Sequence, residues 1–212
     1  MLKICNCQVP KGFYKHMIGI VNYGAGNIFS LTAALDRIGV GYGMINQSAD
    51  FDRYDRIIIP GVGHAGAAMR KLQETGLVAD IVALKKPVLG ICVGMQLLSA
   101  FSEEGHADLL GMVPLKTLHF QQRAGQKVPH MGWNSVSPKK DCPLFANLPE
   151  NPYFYFVHSY YIEQDPVYTA ASCTYDVPFS AAIARDNFYG VQFHPEKSGQ
   201  AGEQLLLNFS RL

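Results

Sequence analysis

The sequence lacks any apolar run near the ~20 residues that a bilayer-spanning helix needs, so no membrane partner is expected. Its first sixteen residues, Met1 to His16, lack both the apolar stretch of a secretory signal and the Arg/Ser bias of a transit peptide. It has no charge excess either. Eighteen basic and seventeen acidic residues leave a net charge of +1, which points away from nucleic acid and anionic lipid as partners. Cysteine is sparse, at positions 5, 7, 92, 142 and 173. The odd count and irregular spacing in a chain of this length argue against a disulfide framework and for a reducing compartment, with the cytoplasm as the default. Cys5 and Cys7 offer two thiolates with no matching pair downstream, too few for a closed zinc site, so no metal is expected. A Walker loop is absent. Gly24-Ala25-Gly26 begins like a dinucleotide fingerprint, but its third glycine would fall at Phe29, and no nucleotide or other cofactor is expected.

What is present fits one globular domain. A chain of 212 residues, 48% of them hydrophobic, can bury roughly 70% of its unfolded surface without staples. Met17–Val21 reads as a buried strand closed by the turn Asn22-Tyr23-Gly24-Ala25-Gly26-Asn27. Asn27 can cap a helix whose apolar positions Ile28, Leu31, Leu35 and Ile38 keep helical spacing, with Gly39 as its stop. A second buried run, Arg56–Ile59, ends at Pro60-Gly61-Val62-Gly63. A helix over 65–84, broken at Gly76, follows it. A third run, Pro87–Ile91, leads into a helix from Met95 to Ala100. Strand, turn and helix in alternation predict a parallel sheet covered on both faces. The second half reads as strands with few helices, near 113–120, 134–137, 153–162, 169–175, 181–185 and 190–193, before a closing helix over 203–209. The expected fold is a three-layer α/β domain with a mixed, mostly parallel central sheet, spanning residues 17–212. Residues 1–16 are expected to be an extension outside it, disordered or translated from an upstream start.

Two segments carry chemistry. Gly90-Ile91-Cys92-Val93-Gly94 places cysteine between glycines, directly after a buried strand and before a helix. The same arrangement with serine marks a sharp strand-to-helix turn that lifts a nucleophile above the sheet. The flanking glycines relieve the crowding of such a turn, and a helix N-terminus favours thiolate. Taken alone, the pentapeptide fits a buried structural cysteine equally well. Near the end, Phe193-His194-Pro195-Glu196 puts a histidine at a strand end with a carboxylate two residues on. Alone this is an ordinary turn. Together with Cys92 it supplies nucleophile, base and orienter for thiol acyl transfer. The oxyanion of that reaction needs two N–H donors. Val93, just past the nucleophile, offers one, and the Pro60–Gly63 loop offers the other.

With these motifs assembled, the chain resembles the class I (triad) glutamine amidotransferases from Met17 to the C-terminus. Within them it is most similar to the glutaminase subunit of imidazole glycerol phosphate synthase, through Pro129-His130-Met131-Gly132-Trp133-Asn134, Tyr155-Phe156-Val157-His158-Ser159-Tyr160-Tyr161 and Gln192-Phe193-His194-Pro195-Glu196-Lys197-Ser198. The resemblance implies that Cys92 attacks the amide carbon of L-glutamine, that His194 moves the proton and that Glu196 orients His194. Val62, Gly63 and Val93 would stabilise the oxyanion, and Gly61, Gln96, His158, Ser159 and Tyr160 would hold substrate. Asn22, Asn27, Met131, Trp133, Tyr155 and Lys197 would face a cyclase-barrel partner in a heterodimer that makes imidazole glycerol phosphate and aminoimidazole carboxamide ribotide. Core aromatics and a solvated lysine are the plain alternative for that last set. The segment Leu110–Leu115 matches the family loosely, and residues 1–16 have no counterpart in it. Three other readings stay open: a paralogous donor of ammonia to another amidating enzyme, such as one of surface-polysaccharide sugars, a non-catalytic scaffold, and a thiol hydrolase of γ-glutamyl peptides.

Overall fold

The computed structural model describes residues 17–121 and 127–212, so the expectations for residues 1–16, including Cys5 and Cys7, lie outside the described residues. Strand β1 (Met17–Val21) is buried along almost its whole length, as a strand covered on both faces must be. Asn27 then caps α1 (Ile28–Arg37) by accepting the Ser30 N–H at 3.3 Å. The apolar stripe of α1 buries Leu31, Ala34 and Leu35, with each leucine contributing about 1.5–3 kcal/mol by leaving water. Gly39, at φ +67°, ends the turn.

A strand that the apolar pattern does not reveal comes next. β2 (Gly41–Ile45) carries two glycines and pairs in parallel with β1 at the sheet edge. β3 (Arg56–Gly61) follows, then α2 (Ala65–Glu74) and α3 (Val78–Ala83), separated at Gly76 with φ +73°. β4 (Val88–Cys92) runs straight into α4 (Val93–Leu97). This helix starts earlier and ends sooner than the sequence implies. Leu98 and Ser99 still donate back to the Met95 and Gln96 carbonyls, but Ala100 donates to the Leu115 carbonyl as the chain leaves to form β5 (Phe101–Ser102) and β6 (Ala107–Asp108). Residues 109–115 form no strand, consistent with Pro114 there.

The remaining strands are β7 (Lys116–His119), β8 (His130–Ser135), β9 (Ser137–Pro138), β10 (Tyr153–His158), β11 (Tyr160–Ile162), β12 (Thr169–Thr174), β13 (Pro178–Arg185) and β14 (Phe188–Val191). α5 (Gly199–Phe209) closes the chain. Five strands in the order β2-β1-β3-β4-β14 form the parallel heart of the sheet. Beyond it, β13 runs antiparallel to β14 and β11 along one edge and to β12 along the other. β8 and β10 stand apart as a two-stranded antiparallel ribbon. The expected mixed α/β sheet is therefore present, with parallel strand ends converging where β3, β4 and β14 finish.

Candidate active site

Cys92 sits at the junction of β4 and α4 with φ +54° and ψ −111°, a conformation that non-glycine residues adopt only under tertiary constraint. The glycines of the elbow are a packing requirement. A Cβ on Gly94 would overlap the Ile59 carbonyl of β3, and one on Gly90 would overlap the Gly94 backbone. β3 and β4 also pair so that Gly61 stands opposite Cys92. The helix beyond the thiol has only five residues, so the unpaired N–H groups of its first turn, rather than a long macrodipole, are what it offers to a charge at Cys92.

His194 reaches Cys92 through strand pairing. β14 lies parallel to β4, with Gly190 opposite Gly90 and Val191 opposite Ile91, and His194 follows three residues beyond the last pair. His194 Nδ1 is 2.7 Å from Glu196 Oε1, and both side chains are buried. A carboxylate accepts, so Nδ1 carries the hydrogen and Nε2 is left for the thiol. Burial opposes charge on this ring, but contact with the Cys92 sulfur and the Glu196 carboxylate outweighs it and raises the imidazole to about 10. Ser198 fixes the turn. Its hydroxyl donates to the His194 carbonyl at 2.6 Å and accepts the Tyr155 N–H at 3.0 Å. The His194 N–H in turn donates to the Tyr155 carbonyl at 2.9 Å.

Cys92 and His194 open onto a cleft of about 320 Å³, lined also by Val62, Gly63, Val93, Gln96, His158, Ser159 and Tyr160. Glu196 lies behind His194, beside a void of about 10 Å³ that Gly61 and Asn27 share. The Val62–Gly63 loop is braced from below. The Tyr23 hydroxyl donates to the Pro60 carbonyl at 2.6 Å, and a Cβ on Gly26 would crowd Pro60 at 2.8 Å. Gly63 adopts φ +87°. Val93 is the first residue of α4, so its N–H has no partner within the helix. Gln96 is buried, with Nε2 donating to the Tyr160 carbonyl at 3.2 Å and to Gln192 Oε1 at 3.1 Å. Its Oε1 is buried with no hydrogen-bond partner.

A model of the family described as glutamine amidotransferase class-I matches residues 20–211. The chain belongs to the class I glutamine amidotransferases. It is 47% identical over 192 residues to the imidazole glycerol phosphate synthase subunit HisH of Pasteurella multocida, covering 91% of this chain and 96% of that one. It is 43% identical over 201 residues to subunit HisH 2 of Pseudomonas aeruginosa, covering 92% of this chain and all of that one. Among solved structures, PurLQS of Thermotoga maritima superposes with a TM-score of 0.69 at 20% identity, over 92% of this chain and 97% of that one, a likeness of fold.

The outer surface of this amidotransferase carries a second cluster. On the β8–β10 ribbon, Trp133 stands opposite Tyr155, with ring centroids 6.2 Å apart, and Lys197 Nζ lies 6.0 Å above the Tyr155 ring. Met131 and Trp133 are 62% and 56% exposed, so neither belongs to the core. Asn22 is exposed and bonds Asn46, while Asn27 is half-buried beside the catalytic void; neither joins the Trp133 cluster. Phe29, 82% exposed at the start of α1, was not singled out from the sequence, because helical spacing alone cannot tell a bare face from a covered one. Gln192 was also missed. It is fully buried, and its Nε2 approaches Cys92 Sγ at 3.8 Å. A polar residue inside the apolar run Gly190–Phe193 was the available signal. No helix among the described residues is long and apolar enough to cross a membrane.

Proposed function

We propose that residues 17–212 form the glutaminase subunit of an imidazole glycerol phosphate synthase. In this reading the amidotransferase hydrolyses L-glutamine to glutamate and ammonia. It passes the ammonia to a cyclase-barrel subunit making imidazole glycerol phosphate and aminoimidazole carboxamide ribotide in histidine biosynthesis. The observation that carries the chemistry is the convergence of buried Cys92 and His194 at one wall of the cleft, with buried Glu196 bonded to His194 from behind. The HisH relatives support the pathway.

Cys92 Sγ attacks the amide carbon with its proton already held on His194 Nε2, and Glu196 keeps the charged ring aligned through Nδ1. The tetrahedral oxyanion accepts N–H donors from Val93 and from the Val62–Gly63 loop. Its collapse breaks the C–N bond, and His194 returns the proton to the leaving nitrogen. Water then attacks the thioester with its proton going to His194, the C–S bond breaks, and glutamate departs from restored Cys92. Gln96 Oε1 has unused lone pairs for the substrate's α-ammonium. Ser159 and Tyr160, the latter held by His158 through its carbonyl, face the α-carboxylate, while Gly61, which does not line the cleft, lets the loop pack against the elbow.

Met131, Trp133, Tyr155 and Lys197 form the docking face for the cyclase. An aromatic anchor beside an exposed methionine matches the composition of interface cores, and Lys197 over the Tyr155 ring suits its polar rim. The test is steady-state glutaminase kinetics of the chain alone and with a cyclase subunit carrying acceptor. Acceleration on docking supports the subunit reading. Full activity of the isolated chain, indifferent to the cyclase, leaves an independent glutaminase.

A further inference from the structure

The chemistry above does not use His130, a buried ring on β8 directly across the ribbon from His158. The directions of this pair's hydrogen bonds follow from its neighbours. His158 Nδ1 lies 2.8 Å from the Tyr160 carbonyl, which can only accept, so Nδ1 carries the hydrogen. Burial holds both rings below their ordinary value, His130 at about 4 and His158 at about 3, so each is neutral and has one N–H. His158 Nε2 is therefore bare, and His130 Nδ1, 2.9 Å away, must donate to it. That leaves His130 Nε2 bare, facing Asn134 Nδ2 at 3.4 Å. Asn134 is oriented in turn by the Thr174 carbonyl, another pure acceptor, at 3.0 Å. Every donor in this chain points the same way, from Asn134 through His130 and His158 to Tyr160.

The chain ends on an atom that matters for substrate. The Tyr160 carbonyl also accepts from Gln96 Nε2, and the second Gln96 N–H goes to Gln192. Both amide hydrogens are committed, so the buried Gln96 Oε1 has a fixed position in a side chain that lines the cleft. We infer that His130 and Asn134 are positioning residues: a one-directional hydrogen-bond relay from β8 holds the Tyr160 carbonyl and thereby aims Gln96 Oε1 at the α-ammonium of glutamine. The inference rests on reading the cleft as a glutamine site. Its consequence is a link to docking. β8 turns Met131 and Trp133 outward and His130 inward, so a partner seated on the outer face bears on substrate binding through the same strand. The relay meets the substrate's amino-acid end through Gln96 and touches the thiol only through Gln192, whose Nε2 lies 3.8 Å from Cys92 Sγ, so its loss acts mainly on KM and changes kcat little.

Packing is the competing explanation, because the His130 ring is stacked between Phe156 at 4.9 Å and Tyr175 at 4.1 Å. Two variants separate the roles. His130→Phe keeps an aromatic ring in the stack and removes the donor. His130→Asn loses the stack and keeps an N–H near the place of Nδ1. In the complex with the synthase partner, His130→Phe should raise the glutamine KM about tenfold, the equivalent of about 1.4 kcal/mol, while kcat stays within about twofold. His130→Asn should keep KM within about threefold of the unsubstituted protein, whatever its melting temperature. Long-range ¹H–¹⁵N correlation spectra of the full chain should show both rings with hydrogen on Nδ1. An unchanged KM in His130→Phe, a fall in kcat at constant KM, or a hydrogen on His158 Nε2 overturns the relay. Absence of glutamine turnover in the unsubstituted complex would instead remove the functional reading, and the tautomer measurement would then decide the relay alone.

Discussion

Gly61 stands directly opposite Cys92 across β3 and β4, and a Cβ on Gly61 would lie 2.5 Å from the Gly94 nitrogen. The loop entering the oxyanion side of the cleft and the elbow carrying the thiol are thus two halves of one backbone contact. Catalytic geometry and folding stability meet at these glycines.

Gly94→Ala therefore has to displace the Ile59 carbonyl or distort the elbow. Overpacking of this kind costs about 3 kcal/mol, which lowers the melting temperature by about 6–12 °C in a chain of this size. Thermal melts measure the stability loss, and glutaminase activity should fall with it even well below the melting temperature, because the thiol is no longer held beside His194. A variant that melts and turns over normally would mean that the elbow tolerates a side chain.

The triad predicts a graded series. Cys92→Ala should abolish glutamine hydrolysis and leave the ammonia-dependent reaction of the complex intact, since added ammonia bypasses the thioester. His194→Ala should be nearly as severe. Glu196→Gln should cost less, because the carboxylate orients and charges the ring without moving the proton itself. Parallel assays with glutamine and with ammonium salt decide this. Loss of both activities in an assembled Cys92→Ala complex would make Cys92 structural.

Acid sensitivity follows from the buried His130–His158 pair. In the unfolded chain each imidazole titrates near 6.5, but in the fold burial depresses them to about 4 and about 3, with His194 adding to the penalty on His158. Between those values and 6.5 the unfolded state binds more protons, so stability is complete above pH 6.5 and declines as pH falls toward 4. Two excess protons correspond to a slope of about 2–3 kcal/mol per pH unit near pH 5. Urea melts at pH 7, 6 and 5 would measure it. His130→Phe should remove about half of that slope, and an unaltered slope in this variant would show that the acid sensitivity comes from groups other than His130.

Trp133→Ala should weaken association with the cyclase by ~2 kcal/mol if the indole is a central anchor. Because the ring is 56% exposed, the isolated chain should melt within about 1 °C of the unsubstituted one. Titration calorimetry and a melt of the same preparation check both halves. An unchanged affinity would move the docking face elsewhere, with exposed Phe29 the next residue to test.

Local order was legible in the sequence wherever neighbours along the chain are also the partners in space. Gly90 to Gly94 form the elbow among themselves, His194 and Glu196 meet across one proline, and Asn27 caps the helix it precedes. These are contacts within a few residues, where residue type nearly dictates geometry. The parallel sheet was legible too, because strands buried on both faces must be apolar throughout. β2 was not. Its glycines make it a poor strand by composition, and it exists because the Tyr54 ring fills the space above Gly19 and Gly43 while β1 supplies the hydrogen bonds. Whether Trp133 is covered or bare, and whether His130 is mere packing or part of a chain leading to Gln96, likewise depends on what lies across the ribbon. Above all, the pairing of β14 with β4 brings His194 to Cys92. Strand pairing is set by which distant backbone satisfies which hydrogen bonds once the core is closed, and that choice belongs to the assembled fold, because no single segment contains both partners.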